Sequence, residues 1–219
     1  MKYFRYVIYL LFSIAYSFAS AGSFDLFFLA LERNDTYQIK LLLKQGFDPN
    51  SVNVRGEYAL IAALRSSSFD VARILIEIPG TDVNARTAKD ETALMLAAIR
   101  GNLDICRQLI AHDADINKPG WTPLHYAATY DGDTRVLQLL LDHFAYIDAE
   151  SPNGTTPLMM AAGYGSLDAV KLLLTMGADA SLKNAQGLTA IDFARKADRP
   201  ETVRWINQFV VSKQTGGDW

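Results

Sequence analysis

The sequence predicts an all-α repeat solenoid, a stack of about six helix-turn-helix units joined by β-turn fingers. A short phrase returns along the chain: Glu91-Thr92-Ala93-Leu94-Met95-Leu96-Ala97-Ala98, Trp121-Thr122-Pro123-Leu124-His125-Tyr126-Ala127-Ala128, and Thr155-Thr156-Pro157-Leu158-Met159-Met160-Ala161-Ala162. Fainter copies open at Glu57-Tyr58-Ala59-Leu60 and at Leu188-Thr189-Ala190-Ile191. The anchoring Tyr or Thr residues stand at 58, 92, 122, 156 and 189, with spacings of 34, 30, 34 and 33. A period near 33 residues marks supersecondary units that bury their apolar faces only by stacking on one another. Composition agrees: half of the 219 residues are apolar, and nothing suggests wholesale disorder.

The logic of one unit is clearest from Asn153 to Ala185. Thr156 before Pro157 predicts an N-cap followed by proline at the first helical position, where its missing N–H costs nothing. Leu158, Met160 and Ala161 mark one face of the first helix, and Ala161-Ala162 lets a neighbouring helix approach closely. Gly165 and Ser166 break the run, and Leu167–Leu174 forms the second helix. Gly177 suits the left-handed residue that ends it, and Asp179 to Gly187 return to the next unit. Aligned on this pattern, the units fall at about 22–53, 54–87, 88–117, 118–151, 152–185 and 186–212, with residues 213–219 a polar, Gly-rich tail expected to fray. The loop before Trp121 is clipped, and Asp131-Gly132-Asp133 carries an extra residue.

This pattern resembles the ankyrin repeat family over about residues 22–212. The matching residues are Trp121 to Ala128, Gly154-Thr155-Thr156-Pro157-Leu158, Gly177-Ala178-Asp179 and Asp82-Val83-Asn84-Ala85. The resemblance implies a curved stack of antiparallel helix pairs that binds proteins and does no chemistry. Units one and six diverge, as caps that meet water on one side do.

The first residues follow different rules. Lys2 and Arg5 precede an apolar run from Tyr6 to Ala19, and Ala19-Ser20-Ala21 supplies small residues for cleavage. Residues 1–21 therefore read as a secretory signal peptide, too short for a comfortable span of roughly 20 apolar residues. Retention of the segment as a membrane anchor is the alternative. Export to the periplasm or beyond is the expectation, with no membrane contact after cleavage and a monomeric product.

Ionisable groups give no sign of catalysis. With 21 basic and 24 acidic side chains the formal charge is -3, without the concentration of cations that nucleic acid requires. His112, His125 and His143 have no partners at metal-ligand spacing, and glycine-rich phosphate loops and nucleophile motifs are absent. No catalytic, cofactor or metal residue is assigned. His125 fills the histidine position of the family's phrase, where its expected role is structural. Asp48, Asp82, Asp115, Asp148 and Asp179 recur once per unit, which suits turn hydrogen bonds better than the convergent oxygens of a calcium site. The lone Cys106, at helical spacing among apolar neighbours, reads as a small buried hydrophobe.

The binding expectation follows from the family resemblance, which places contacts on finger tips and on the exposed side of first helices, a concave surface. Carried onto this chain, the fingers offer Arg55, Lys89, Glu91, Trp121 and Thr155, and the first-helix ends offer Arg100, Tyr130 and Tyr164. Trp121, Tyr130 and Tyr164 beside Arg100 have the composition of an interface hot spot, although the same rings also suit packing over a finger and over helix ends. Phe144 and Tyr146 complete the candidate set. They replace the helix-ending glycine and the aspartate that follows it in other units. Either the loop has re-formed around Phe144, or the exposed aromatic pair has a use. The partner expected is a periplasmic or envelope protein, with a secreted effector or immunity-type binder and a tethered scaffold as alternatives.

Overall fold

The computed structural model describes residues 22–215, so the expected signal segment and residues 216–219 lie outside the described residues. Backbone packing divides the chain into two compact parts, one up to Asp82 and one from Val83 onward. Among the described residues every regular element of length is helical, and extended pairing is limited to the isolated bridges Val52 with Tyr58 and Arg86 with Thr92.

The N-terminal part holds α1 (22–32 as described), α2 (Thr36–Lys44), α3 (Ala59–Arg65) and α4 (Phe69–Glu77). The capping unit is sealed by aromatic rings: Phe27 stacks on Phe47 at 4.2 Å and meets Phe28 edge-on. Asp35 caps α2 by accepting from the Gln38 N–H. Helix α3 is buried from Ala59 to Leu64 and packs against α4.

The C-terminal part contains four helix pairs: α5 (Ala93–Ala98) with α6 (Leu103–Ala111), α7 (Pro123–Ala128) with α8 (Arg135–Asp142), α9 (Pro157–Tyr164) with α10 (Leu167–Thr175), and α11 (Ala190–Lys196) with α12 (Pro200–Thr215). First helices α5, α7, α9 and α11 pack in a row, while α6 lies on α8 and α10 on α12. The alanine pairs make this possible: Ala97, Ala98, Ala128, Ala161 and Ala162 are all fully buried or nearly so. Residue three of each first helix closes a capping box with the preceding threonine. Met95 and Met159 offer sulfur to the N–H of Thr92 and Thr156, His125 offers Nδ1 to Thr122, and Asp192 offers a carboxylate to Thr189. Helix α12 continues through Thr215, beyond the start of the expected tail.

A ladder of asparagines ties consecutive repeats together inside each part. Asn50 accepts from the Asp82 N–H and donates to the Gly80 carbonyl. Asn84 does the same at Asp115 and Asp113, and Asn117 at Tyr146 and Phe144. Asp148 occupies the next rung. It therefore belongs to the asparagine register, not to the aspartate series read from spacing. Its carboxylate accepts from the Asp179 N–H at 3.1 Å but has no N–H to offer the Gly177 carbonyl. Burial, with the Asp179 carboxylate nearby, raises its pKa. A raised folded-state pKa favours the protonated form, so its stabilising contribution is present at low pH and lost as pH rises through the folded value. Asp148→Asn is expected to stabilise the C-terminal part at neutral pH by about 1 kcal/mol and to lose that pH dependence, as urea unfolding at neutral and acidic pH will show.

Candidate functional site

Five-residue fingers precede four of the first helices. In Asn53–Glu57, Thr87–Glu91, Ser151–Thr155 and Asn184–Leu188 the first N–H bonds to the last carbonyl. A side-chain oxygen inside each turn accepts from the finger's own backbone. Asn53, Thr87 and Asn184 each hold two N–H groups, and Ser151 holds that of Thr155. Unit four departs from this plan. The finger is shortened to Lys118–Trp121, and the Lys118 side chain fills the inside of the turn. The Lys118 side chain is 1% exposed, and its ammonium donates to the carbonyls of Pro119 and Trp121 and to Asp90 in the preceding finger. A buried donor has replaced a buried acceptor, so carbonyls turn inward where N–H groups do elsewhere. The hydrogen bond from Lys118 is the leading reason that Asp90 titrates below the usual carboxylate range. Spacing gives no role to Lys118; the signal in the sequence is the clipped loop before Trp121, in which a lysine adjoins the shortened turn.

Below that finger, His125 is fully buried. Its Nδ1 accepts from the Thr122 N–H at 3.2 Å, so Nε2 carries the proton and donates to the Thr155 carbonyl at 2.9 Å. The indole of Trp121 meets the imidazole edge-to-face at 5.2 Å. Burial pushes the His125 pKa down to about 4, against the opposing carbonyls of Thr155 and Ala149. A neutral ring with both nitrogens committed to backbone is a strut between two repeats. Cys106 is equally inert: it is fully buried, and desolvation pushes its thiol up to about 12.

The candidate residues separate into distinct settings. Thr155 is 2% exposed, its carbonyl held by His125 and its N–H by Ser151, and this takes it off the candidate surface. Glu91 is half-buried and accepts from the Tyr126 hydroxyl. Tyr130 is also half-buried. Its ring lies where a Cβ on Gly101 or Gly132 would stand, so the extra residue at Asp131–Asp133 makes room for a packed ring. Arg100 donates to the Leu96 carbonyl and caps its own helix. Lys89 is exposed at a finger tip. In the N-terminal part Arg55 is exposed and pairs with Glu57 and Glu32.

Tyr164 is different. It is 62% exposed at the end of α9 and borders an open groove of about 260 Å³ with Gln186, Leu188, Phe193 and Lys196. Gly163 forms the floor, with the Phe193 ring 3.3 Å from where its Cβ would be. Phe193 and Leu188 come from the following unit, so spacing along the sequence does not join them to Tyr164. Trp121, half-buried before the N-terminus of α7, and Tyr164, at the C-terminus of α9, lie at opposite helix ends of two neighbouring first helices.

A row of helix pairs with alanines buried along the first helices, threonine N-caps and projecting turns defines a repeat protein built to present a surface. The family model for ankyrin repeats, described as three copies, matches residues 26–119, 78–151 and 128–208. The chain belongs to the ankyrin repeat family. It is 30% identical over 164 residues to the B-cell lymphoma 3 protein homolog of Mus musculus, covering 72% of this chain and 36% of that protein. It is 31% identical over 156 residues to ankyrin repeat and SAM domain-containing protein 6 of Mus musculus, covering 65% and 18%. With the nuclear factor NF-kappa-B p105 subunit of Mus musculus it shares 36% over 104 residues, covering 46% and 11%. The chain thus spans about a third or less of the length of these relatives. Ankyrin repeats are in general protein-interaction modules.

Proposed function

We propose that this chain is an exported, non-catalytic binding protein that grips a periplasmic or envelope protein with its first-helix and finger face between units three and six. The observation that carries the reading is the Tyr164 groove. An exposed ring beside Leu188 and Phe193, rimmed by Gln186 and Lys196, offers an apolar receptacle with a polar edge. Trp121 supplies a second aromatic anchor at the finger end, pinned by Lys118 and His125. Binding by such a face needs no turnover: the rings exclude water and the fingers set specificity. Export is supported by Lys2 and Arg5, the Tyr6–Ala19 run and Ala19-Ser20-Ala21. Purification of the chain from the producing cell with Gly22 as its first residue would support cleavage, whereas Met1 would support an anchor.

Affinity capture from envelope extracts tests the binding face. Wild type is expected to retain at least one protein that Trp121→Ala/Tyr164→Ala loses, with helicity unchanged by circular dichroism. An identical set of captured proteins from both would remove the face from consideration.

A further inference from the structure

The loop that ends α8 holds an aromatic pair that the fold does not use. Phe144 is 85% exposed and Tyr146 69% exposed, while Ala145 between them is buried. The loop has not re-formed around the bulky residue. Phe144 keeps φ at 63°, in the left-handed region where other repeats place Gly46 at 91°, Gly177 at 105° and Asp113, a residue that tolerates this conformation better, at 61°. The helix-ending hydrogen bonds are unchanged as well. The Ala145 N–H reaches the Leu140 carbonyl at 2.9 Å, as the Ala178 N–H reaches Leu173 at 2.9 Å. Asn117 then clamps the Phe144 carbonyl and the Tyr146 N–H. A β-carbon in this conformation opposes folding, and a solvent-exposed ring returns nothing from packing. Strain held rigidly at an exposed aromatic residue points to use by something outside the chain.

Charge gives the chemistry of that partner. The asparagine ladder sets Asp113 and Asp115 in the same register as Phe144 and Tyr146, one repeat before them. Asp179 takes the register of Tyr146 one repeat after, and exposed Asp142 closes α8 just before the pair. Arg86 lies 3.9 Å from Asp115 but is engaged more closely by Asp90 at 3.1 Å, and Lys213 acts electrostatically on Asp179. Exposed His143 adjoins the pair. Carboxylates thus stand on both sides of two exposed rings.

We propose that this loop row is a second docking surface, separate from the Trp121–Tyr164 face, for a protein segment that carries an apolar side chain between lysines or arginines. The rings would bury the apolar group, and the carboxylates would steer the cations and give the contact a salt dependence.

Fluorescence anisotropy with the full chain and a short labelled peptide of alternating lysine and leucine tests this. The same peptide with glutamate for lysine is the reference. Wild type is expected to bind the lysine peptide about tenfold more tightly, and rising salt is expected to erase the difference. Phe144→Gly/Tyr146→Asp returns the loop to the residues of the other repeats and is expected to lose at least about tenfold in affinity. That loss would occur despite the added negative charge. Because the strain is relieved, Phe144→Gly alone is expected to raise Tm by about 3 °C, which separates lost binding from lost folding. Trp121→Ala/Tyr164→Ala is expected to bind the peptide as wild type does, so this surface and the first-helix face stand or fall separately. Equal affinity for the two peptides, full binding by Phe144→Gly/Tyr146→Asp, or loss confined to Trp121→Ala/Tyr164→Ala would overturn the proposal.

Discussion

His125→Ala is expected to destabilise the part of the chain from Val83 onward by about 3–4 kcal/mol. The substitution opens a cavity under Trp121 and strips partners from two buried backbone groups, the Thr122 N–H and the Thr155 carbonyl. It also removes a titration. His125 protonates at about 4 in the folded chain, against 6.5 for an ordinary histidine. Between those values the unfolded chain binds the proton and the folded chain does not. Stability is therefore complete above about pH 6.5 and declines as pH falls toward 4, by about 3 kcal/mol in total. His125→Gln retains a donor and an acceptor without the charge change, so its urea midpoint is expected to vary much less over that window. A wild-type midpoint independent of pH between 4 and 6.5 would contradict the neutral, buried imidazole.

Lys118→Met is the second large effect, expected to cost about 2–3 kcal/mol. Methionine keeps much of the length of the side chain but leaves the Pro119 and Trp121 carbonyls without their donor and releases Asp90 from the neighbouring finger. Asp90→Asn should be milder, near 1 kcal/mol, because the ammonium keeps both carbonyls and the Asp90 side chain is 53% exposed. Denaturant unfolding of the two variants measures this order directly. Equal losses would mean that the ion pair, and not the carbonyl cradle, holds the shortened finger.

The scaffold was legible in the sequence because each repeat meets the same local demands. Thr156 and Pro157 announce a helix start, Gly177 announces its end, and the alanine pairs announce a close helix approach; all three follow from backbone sterics and orphan N–H groups. Phe144 was legible as an anomaly for the same reason, since a left-handed position is fixed by the repeat and not by the residue in it. What spacing did not reveal depends on contacts between units. Tyr130 reads from sequence either as an anchor or as a ring packed over a helix end, and Gly101, from the preceding unit, makes room for the packed ring. Thr155 looked like a finger tip, but finger depth is set by the Ser151 turn, which draws it inward. Asp148 fell into the wrong series because the loop of unit four shifts the period by two positions relative to the ladder.

The proposed binding face rests on the few side chains that the stack does not need. Lys118 and His125 hold Trp121 in place, and Tyr164 with Phe193 lines the groove at the C-terminal end of α9. In the proposed reading, residues that repeat faithfully are scaffold and residues exposed at interruptions carry the contact.

Amide hydrogen exchange on the complex recovered by affinity capture tests that division most directly. Slowed exchange in the fingers Lys118–Trp121 and Asn184–Leu188 and in the turn after Tyr164, with the outer helices α6, α8 and α10 unchanged, is the predicted result. Protection confined to α6, α8 and α10, with the fingers exchanging as in the free chain, would contradict it.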